Sequence, residues 1–246
     1  MNDLKKAILT RKSRRSYLPT ALDEKAIEVL NQLIDDFSKN EKIKMQLLLN
    51  NGEAFNGLRK SYGMLSGVKH CVVQICNKDD VIALEKMGYF GELLVLKATD
   101  YGLGTCWVGG TYDPSRCPVE LNNEEAVVCT IVVGNVQGTP SGKEKFIYNM
   151  NHRKTKPMEQ MYVADGEVPN WFIEGMKAVE KAPSAANRQP ITFSYKDGIV
   201  TAAADDIEKS FAAIDLGIAK LHFEIGAGGG KWEFGNGAKF TYDSKK

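Results

Sequence analysis

The chain has 246 residues, 43% of them hydrophobic, and a formal net charge of +1 from 32 basic and 31 acidic side chains. That balance offers no broad charged face to a nucleic acid or a membrane. With no 18-residue apolar run and no N-terminal apolar leader, the sequence predicts a soluble cytoplasmic protein with a well-buried core.

In chain order, residues 3–10 predict a short helix running into R-K-S-R-R-S-Y at 11–17. A second helix is expected over 22–37, where Ile27, Leu30, Leu33, Ile34 and Phe37 share one face, with Asp23 and Glu24 at its positive end. Strands are expected at 43–49, 70–76 and 126–134, all rich in β-branched residues. Between the last two lies a long helix, 80–101, apolar nearly all round and stopped by Gly102 and Gly104. Residues 137–151 read as a polar, turn-rich excursion, followed by a helix at 169–180 with Pro169 in its first turn. The loop K-A-P-S-A-A-N-R-Q-P occupies 181–190, and strands at 191–195 and 198–203 flank an Asp197–Gly198 turn. A last long apolar helix, 207–225, stops at G-A-G-G-G, and residues from 236 read as a frayed polar tail.

The later part echoes the earlier one: amphipathic helix, loop, two strands, buried helix, glycines. A shift of 124 residues lays Gly102 and Gly104 on Gly226 and Gly228, with little other identity.

Four stretches hold residue types suited to a ligand. In R-K-S-R-R-S-Y, arginine forks and serine hydroxyls suit a phosphate, though a solvated basic face has the same composition. H-R-K-T-K-P at 152–157 is a second basic cluster, which alone reads as a surface loop and together with the first suits one shared anion. G-L-G-T-C-W-V-G-G at 102–110 could bring backbone close to a flat ligand, or could simply stop a helix. The 181–190 loop places Ser184, Asn187 and Gln189 between Pro183 and Pro190, offering donors and acceptors to a heterocycle edge or making a helix-to-strand turn. The five cysteines form no C-x-x-C pair and His70, His152 and His222 are scattered, so reduced thiols and no metal site are expected.

Together these stretches resemble the nitroreductase family of FMN-dependent flavoproteins. The family's R-R-S-x-R-x-F corresponds to R-K-S-R-R-S-Y, its P-S-x-x-N-x-Q-P to P-S-A-A-N-R-Q-P, its helix-ending turn to Y-G-L-G-T-C-W-V-G and its R-K-P to R-K-T-K-P. Family members carry P-S-x-x-N between the Arg motif and the central helix; here that slot reads F-S-K-N-E-K and the motif comes late. Relatives are homodimers with FMN at the interface, so the displaced motif resembles a subgroup in which one chain mimics the dimer.

The resemblance implies an α+β (mixed α/β) nitroreductase-like fold, with an antiparallel-rich sheet around long central helices in two fused, pseudo-dimeric half-subunits. Residues 1–165 would be the half carrying the Arg motif and 166–246 a degenerate half supplying the late loop. Arg11, Lys12, Ser13 and Arg15 would hold the phosphate and ribityl chain, with Arg153 and Lys154 closing on the phosphate. Cys106, Trp107, Val108 and Gly109 would run along the flavin ring, and Pro183, Ser184 and Asn187 would contact its other side. No catalytic acid or base is expected. The implied activity is ping-pong transfer of hydride equivalents from NADH or NADPH to a nitroaromatic, quinone or similar acceptor; the alternative is a flavin-binding or storage protein. A monomer with one FMN and small-molecule partners is expected. Ile191 stands where the family has Trp, Thr155 and Lys156 split R-K-P, and S-Y-G at 61–63 is the candidate counterpart of the family's N-x-x-K.

Overall fold

The computed structural model describes residues 2–55, 64–151, 155–208 and 211–243. S-Y-G at 61–63, Arg153 and Lys154 therefore lie outside the described residues. The protein is a mixed α+β structure, with six α-helices and two antiparallel-rich sheets among the described residues.

Helix α1 (Asn2–Thr10) leads to α2 (Glu24–Glu41), which starts where Asp23 accepts the Lys25 N–H and buries Ala26, Leu30, Ile34 and Phe37. Strands β1 (Lys44–Leu48), β2 (His70–Cys76), β3 (Gly104–Val108) and β4 (Ala126–Gly134) form a sheet of order β1-β2-β4-β3, antiparallel throughout. All seven residues of β2 are buried, the polar His70 and Gln74 included. Between β2 and β3 runs α3 (Val81–Asp100), and α4 (Gly142–Asn151) follows β4.

The second sheet repeats the first. After β5 (Tyr162–Ala164) and α5 (Asn170–Val179) come β6 (Ile191–Lys196), β7 (Ile199–Ala204), α6 (Ala212–Ala227), β8 (Lys231–Trp232) and β9 (Lys239–Thr241). Its order is β5-β6-β7-β9-β8. Without β5, which adds in parallel to β6, this is the first sheet's order with antiparallel pairing, strand for strand. Helices α5 and α6 stand where α2 and α3 stood. Each long helix gives way to a glycine in the left-handed region, Gly102 (φ 77°) and Gly228 (φ 89°). Gly102 therefore matches Gly228, two places beyond the expected Gly226. That residue is inside α6, where a Cβ would meet the Glu174 carbonyl and the Ala178 side chain.

Three other expectations are corrected. Residues 142–151 are helical. The last apolar helix begins at Ala212 after a turn at 205–208, and extends to Ala227. The tail is not frayed at 239–241: β9 pairs with β7 and β8 and buries Phe240.

Two compact units result. One holds Thr10–Lys78 and Leu94–His152 with the four-stranded sheet; its core includes Leu48, Phe55, Val73, Ile75, Val108 and Val132. The other holds Met1–Leu9, Asp79–Leu93 and Arg153–Lys246 with the five-stranded sheet, around Phe172, Phe193, Leu216, Phe223 and Trp232. Neither unit is one continuous stretch of chain.

In the five-stranded unit α3 crosses α6 at backbone contact. A Cβ at Gly88 would meet the Ile214 carbonyl oxygen, and a Cβ at Gly217 would meet that of Glu85. Each glycine faces the carbonyl three residues before the other, so the crossing is self-complementary in the manner of a two-fold interface. Gly88→Ala and Gly217→Ala should each destabilise the protein by about 2–3 kcal/mol, as overpacking does. Denaturant midpoints measure this, and exposed Gly138→Ala, with nothing near its added Cβ, is the control.

Candidate functional site

In the four-stranded unit the Arg motif lies along the free edge of the sheet. Ser13 bridges Thr105 of β3 in parallel, and the Arg14 N–H donates to the Thr105 carbonyl at 2.8 Å. On the other side of the segment, the Tyr17 N–H donates to the Ser66 carbonyl and the Ser66 N–H to the Arg15 carbonyl, both at 2.9 Å. The structure thus brings Arg11, Lys12, Ser13 and Arg15 to the strand that carries Cys106, Trp107 and Val108, with Gly109 directly after it. Lys12 and Ser13 are exposed, Arg11 and Arg15 half-buried. Burial pushes the Cys106 thiol up, while the positive charges of Arg15 and Arg11 pull it down, so both reach the same stretch of β3. A buried thiol held protonated is no nucleophile.

Arg14, the one arginine of the motif with no ligand role assigned, is buried and structural. Its Nε donates to Glu144 Oε1 at 3.0 Å and its Nη1 to the Gln137 carbonyl at 2.8 Å. Glu144 Oε1 also accepts the Arg15 N–H at 2.7 Å, and Glu144 Oε2 accepts the Ser141 N–H at 2.7 Å. Ser141 Oγ returns a bond from the Glu144 N–H, so S-G-K-E is a capping box at the start of α4. That signal was present at 141–144 and marks a helix where the composition reads as loop. Burial alone would raise the Glu144 pKa, but Arg14 and the N–H groups of Arg15 and Ser141 reverse this and hold it at about 2. Since the folded pKa lies below the ordinary value of 4.5, the stabilisation is complete above pH 4.5 and disappears as pH falls towards 2. Glu144→Gln should cost about 2–3 kcal/mol at pH 7 and much less near pH 2.5. Unfolding at both pH values measures it.

Pro183, Ser184 and Asn187 belong to one turn of the five-stranded unit. Ala186 (φ 51°), Asn187 (φ 50°) and Gln189 (φ 50°) are all left-handed without being glycine. Ser184 Oγ accepts the Gln189 N–H at 2.9 Å, and the Asn187 N–H donates to the Ser184 carbonyl at 3.0 Å. Behind the turn, Asp215 in the first turn of α6 accepts the Ala185 N–H at 3.0 and 3.1 Å from its two oxygens. Asp215 is 5% exposed; burial raises its pKa to about 7, against the smaller effects of the Ala185 bond and Arg188. A folded pKa raised above 3.8 means that Asp215 costs nothing at low pH and progressively destabilises the fold as pH rises to about 7. Asp215→Asn keeps one acceptor for Ala185. It should stabilise the protein at pH 8, by at most about 4 kcal/mol, and leave stability near pH 4 unchanged. Thermal melts across that range test the sign.

The same unit contains polar pairs inside the α3 and α6 stripes that read as apolar. Lys220, fully buried, donates to Glu85 Oε1, the Glu233 carbonyl at 3.1 Å and the Gly235 carbonyl at 2.9 Å, using all three ammonium protons. Glu85 Oε2 accepts the Gly235 N–H at 2.7 Å. His222 lies between Glu92 and the Ala178 carbonyl, 3.0 Å from each. Burial pulls the Lys220 pKa down and Glu85 pulls it up.

The model of the family described as "Putative TM nitroreductase" matches residues 3–227. The chain belongs to that family. Among solved structures it is similar to a putative nitroreductase from Thermotoga maritima, with 22% identity, 98% of this chain and 92% of that chain covered, and a TM-score of 0.65. That likeness establishes a nitroreductase fold across both sheets. A nitroreductase family protein from Clostridium novyi covers 55% of this chain and 86% of its own, with 19% identity and a TM-score of 0.44. An FMN-dependent nitroreductase from Clostridium difficile covers 60% and 96%, with 15% identity and a TM-score of 0.43. No curated protein matches by sequence. Among the described residues no helix is long and apolar enough to cross a membrane.

Where the chain departs from the family pattern, the departures have structural uses. Ile191 is a 4%-exposed core residue of β6, and Lys156, splitting the R-K-P motif, bonds to Gln189.

Proposed function

We propose that the protein is an FMN-dependent oxidoreductase that passes hydride equivalents from NADH or NADPH to a small acceptor such as a nitroaromatic or a quinone. The observation that carries this reading is the Arg motif hydrogen-bonded along β3, within a chain of the nitroreductase family. A flavin phosphate needs charged forks, and an isoalloxazine edge needs nearby backbone N–H groups; the Arg motif beside β3 would supply both together. Bound FMN would supply hydride acceptance and donation. Arg11, Lys12, Ser13 and Arg15, with Arg153 and Lys154, would bind its phosphate and ribityl chain. Backbone N–H groups of Cys106–Gly109 would orient the ring, and Pro183, Ser184 and Asn187 would complete its contacts. None of these residues has to move a proton. A nicotinamide and an acceptor using one ring in turn give ping-pong kinetics. The cysteines are free and buried, which suits a reducing, cytoplasmic setting.

The reading includes one FMN per monomeric chain, with 1–165 and 166–246 as fused halves of an ancestral dimer. The repeated strand order and the self-complementary Gly88–Gly217 crossing support it. With Gly102 on Gly228, the stretch Cys106–Gly109 falls on Trp232–Gly235. There Lys220 holds the Glu233 and Gly235 carbonyls and Glu85 takes the Gly235 N–H, so the protein's own side chains use the backbone that the first repeat would offer to a flavin.

The purified protein should show a flavin spectrum at one FMN per chain, run as a monomer in light scattering, and bleach with NADH or NADPH under anaerobic conditions. Arg15→Ala should lose about 1.5–3 kcal/mol of FMN affinity, the scale of a charged hydrogen bond, while riboflavin binding stays unchanged. Bound flavin that neither nicotinamide reduces would establish a storage protein instead. Two flavins per chain would overturn the fused-dimer account.

A further inference from the structure

The segment 155–157 and the turn 184–190 are tied at one point. The Lys156 N–H donates to Gln189 Oε1 and the Lys156 ammonium donates to the Gln189 carbonyl, both at 2.9 Å. Gln189 is 4% exposed, and its Nε2 is buried with no acceptor among the described residues. A buried donor left unbonded costs about 1–3 kcal/mol. Three of the four residues from Ala186 to Gln189 are left-handed, each at a further cost of about 1–2 kcal/mol. A turn that merely reversed the chain would relax into ordinary geometry. This one is held from two sides, by Asp215 at Ala185 and by Lys156 at Gln189. Strain and a buried amide donor with no acceptor among the described residues, together in one short turn, are what a turn set before its ligand arrives would show.

We propose that Lys156 is a positioning residue for the flavin: its double hold on Gln189 keeps the turn in binding geometry and presents the Gln189 carboxamide N–H to the ligand. This rests on the FMN reading above. It assigns a role to the Thr155–Lys156 pair that splits the family's R-K-P. On this reading the ammonium, with one proton on the Gln189 carbonyl, acts through the turn rather than on the phosphate.

Lys156→Met removes the ammonium bond and keeps the backbone one. It should weaken FMN and riboflavin binding by similar factors of about 10, and change the visible circular dichroism of flavin bound at saturation. Lys156→Arg should recover most of the affinity for both. If Lys156→Met does not fold, Lys156→Gln provides the same comparison. Unchanged affinity for both flavins would overturn the proposal, and so would a loss confined to FMN, which would make Lys156 a phosphate contact. Wild-type protein that binds neither flavin would overturn the FMN reading and this inference with it, whereas normal wild-type binding with an indifferent Lys156→Met overturns this inference alone.

Discussion

Helices α3 and α6 touch backbone to backbone only because Gly88 and Gly217 have no side chains. The five-stranded unit is organised around that contact. Beside the crossing lie two hydrogen-bonded polar sets: Glu85 with Lys220 and the Gly235 N–H, and Tyr89 with Glu224 at 2.8 Å. A buried ion pair recovers its desolvation cost only with full hydrogen bonding, and Lys220 has it. The same pair pins the 233–235 backbone, while the Trp232 indole donates to the Lys220 carbonyl at 2.9 Å.

A second constraint governs the four-stranded unit. Glu144 sits at the end of a sequence separation of 130 residues from Arg14, yet it collects a guanidinium, three backbone N–H groups from Arg15, Ser16 and Ser141, and its own capping bond. One carboxylate therefore starts α4 and sets the path of the Arg motif along β3. Within the motif Arg14 turns inward to the scaffold, while Lys12 is exposed and Arg15 half-buried. The turn at 184–189 is likewise held through its backbone, by Asp215 and Lys156.

The sequence by itself determined much. β-branched runs placed β1, β2 and β4, the Asp197–Gly198 turn placed β6 and β7, one-sided apolar periodicity placed α2, and long apolar runs placed α3 and α6, because burial on one face or on all faces shows in the pattern of apolar residues. Glycines marked the ends of both long helices, since a left-handed cap excludes most side chains. The Arg motif and the late P-S-A-A-N loop were legible as ligand-type residues. Tertiary structure decided what depends on distant partners. Strands as short as β5, β8 and β9 have no period to read and exist through pairing. The register of the repeat, with Gly102 on Gly228, followed from the left-handed glycines that end the two long helices and not from identity. Whether Arg14 is ligand or scaffold depended on Glu144, and whether Gln189 is a surface amide or a buried, strained donor depended on Lys156. A side chain's role follows from what lies within about 3 Å of it, and that is set by the fold rather than by neighbours in the chain.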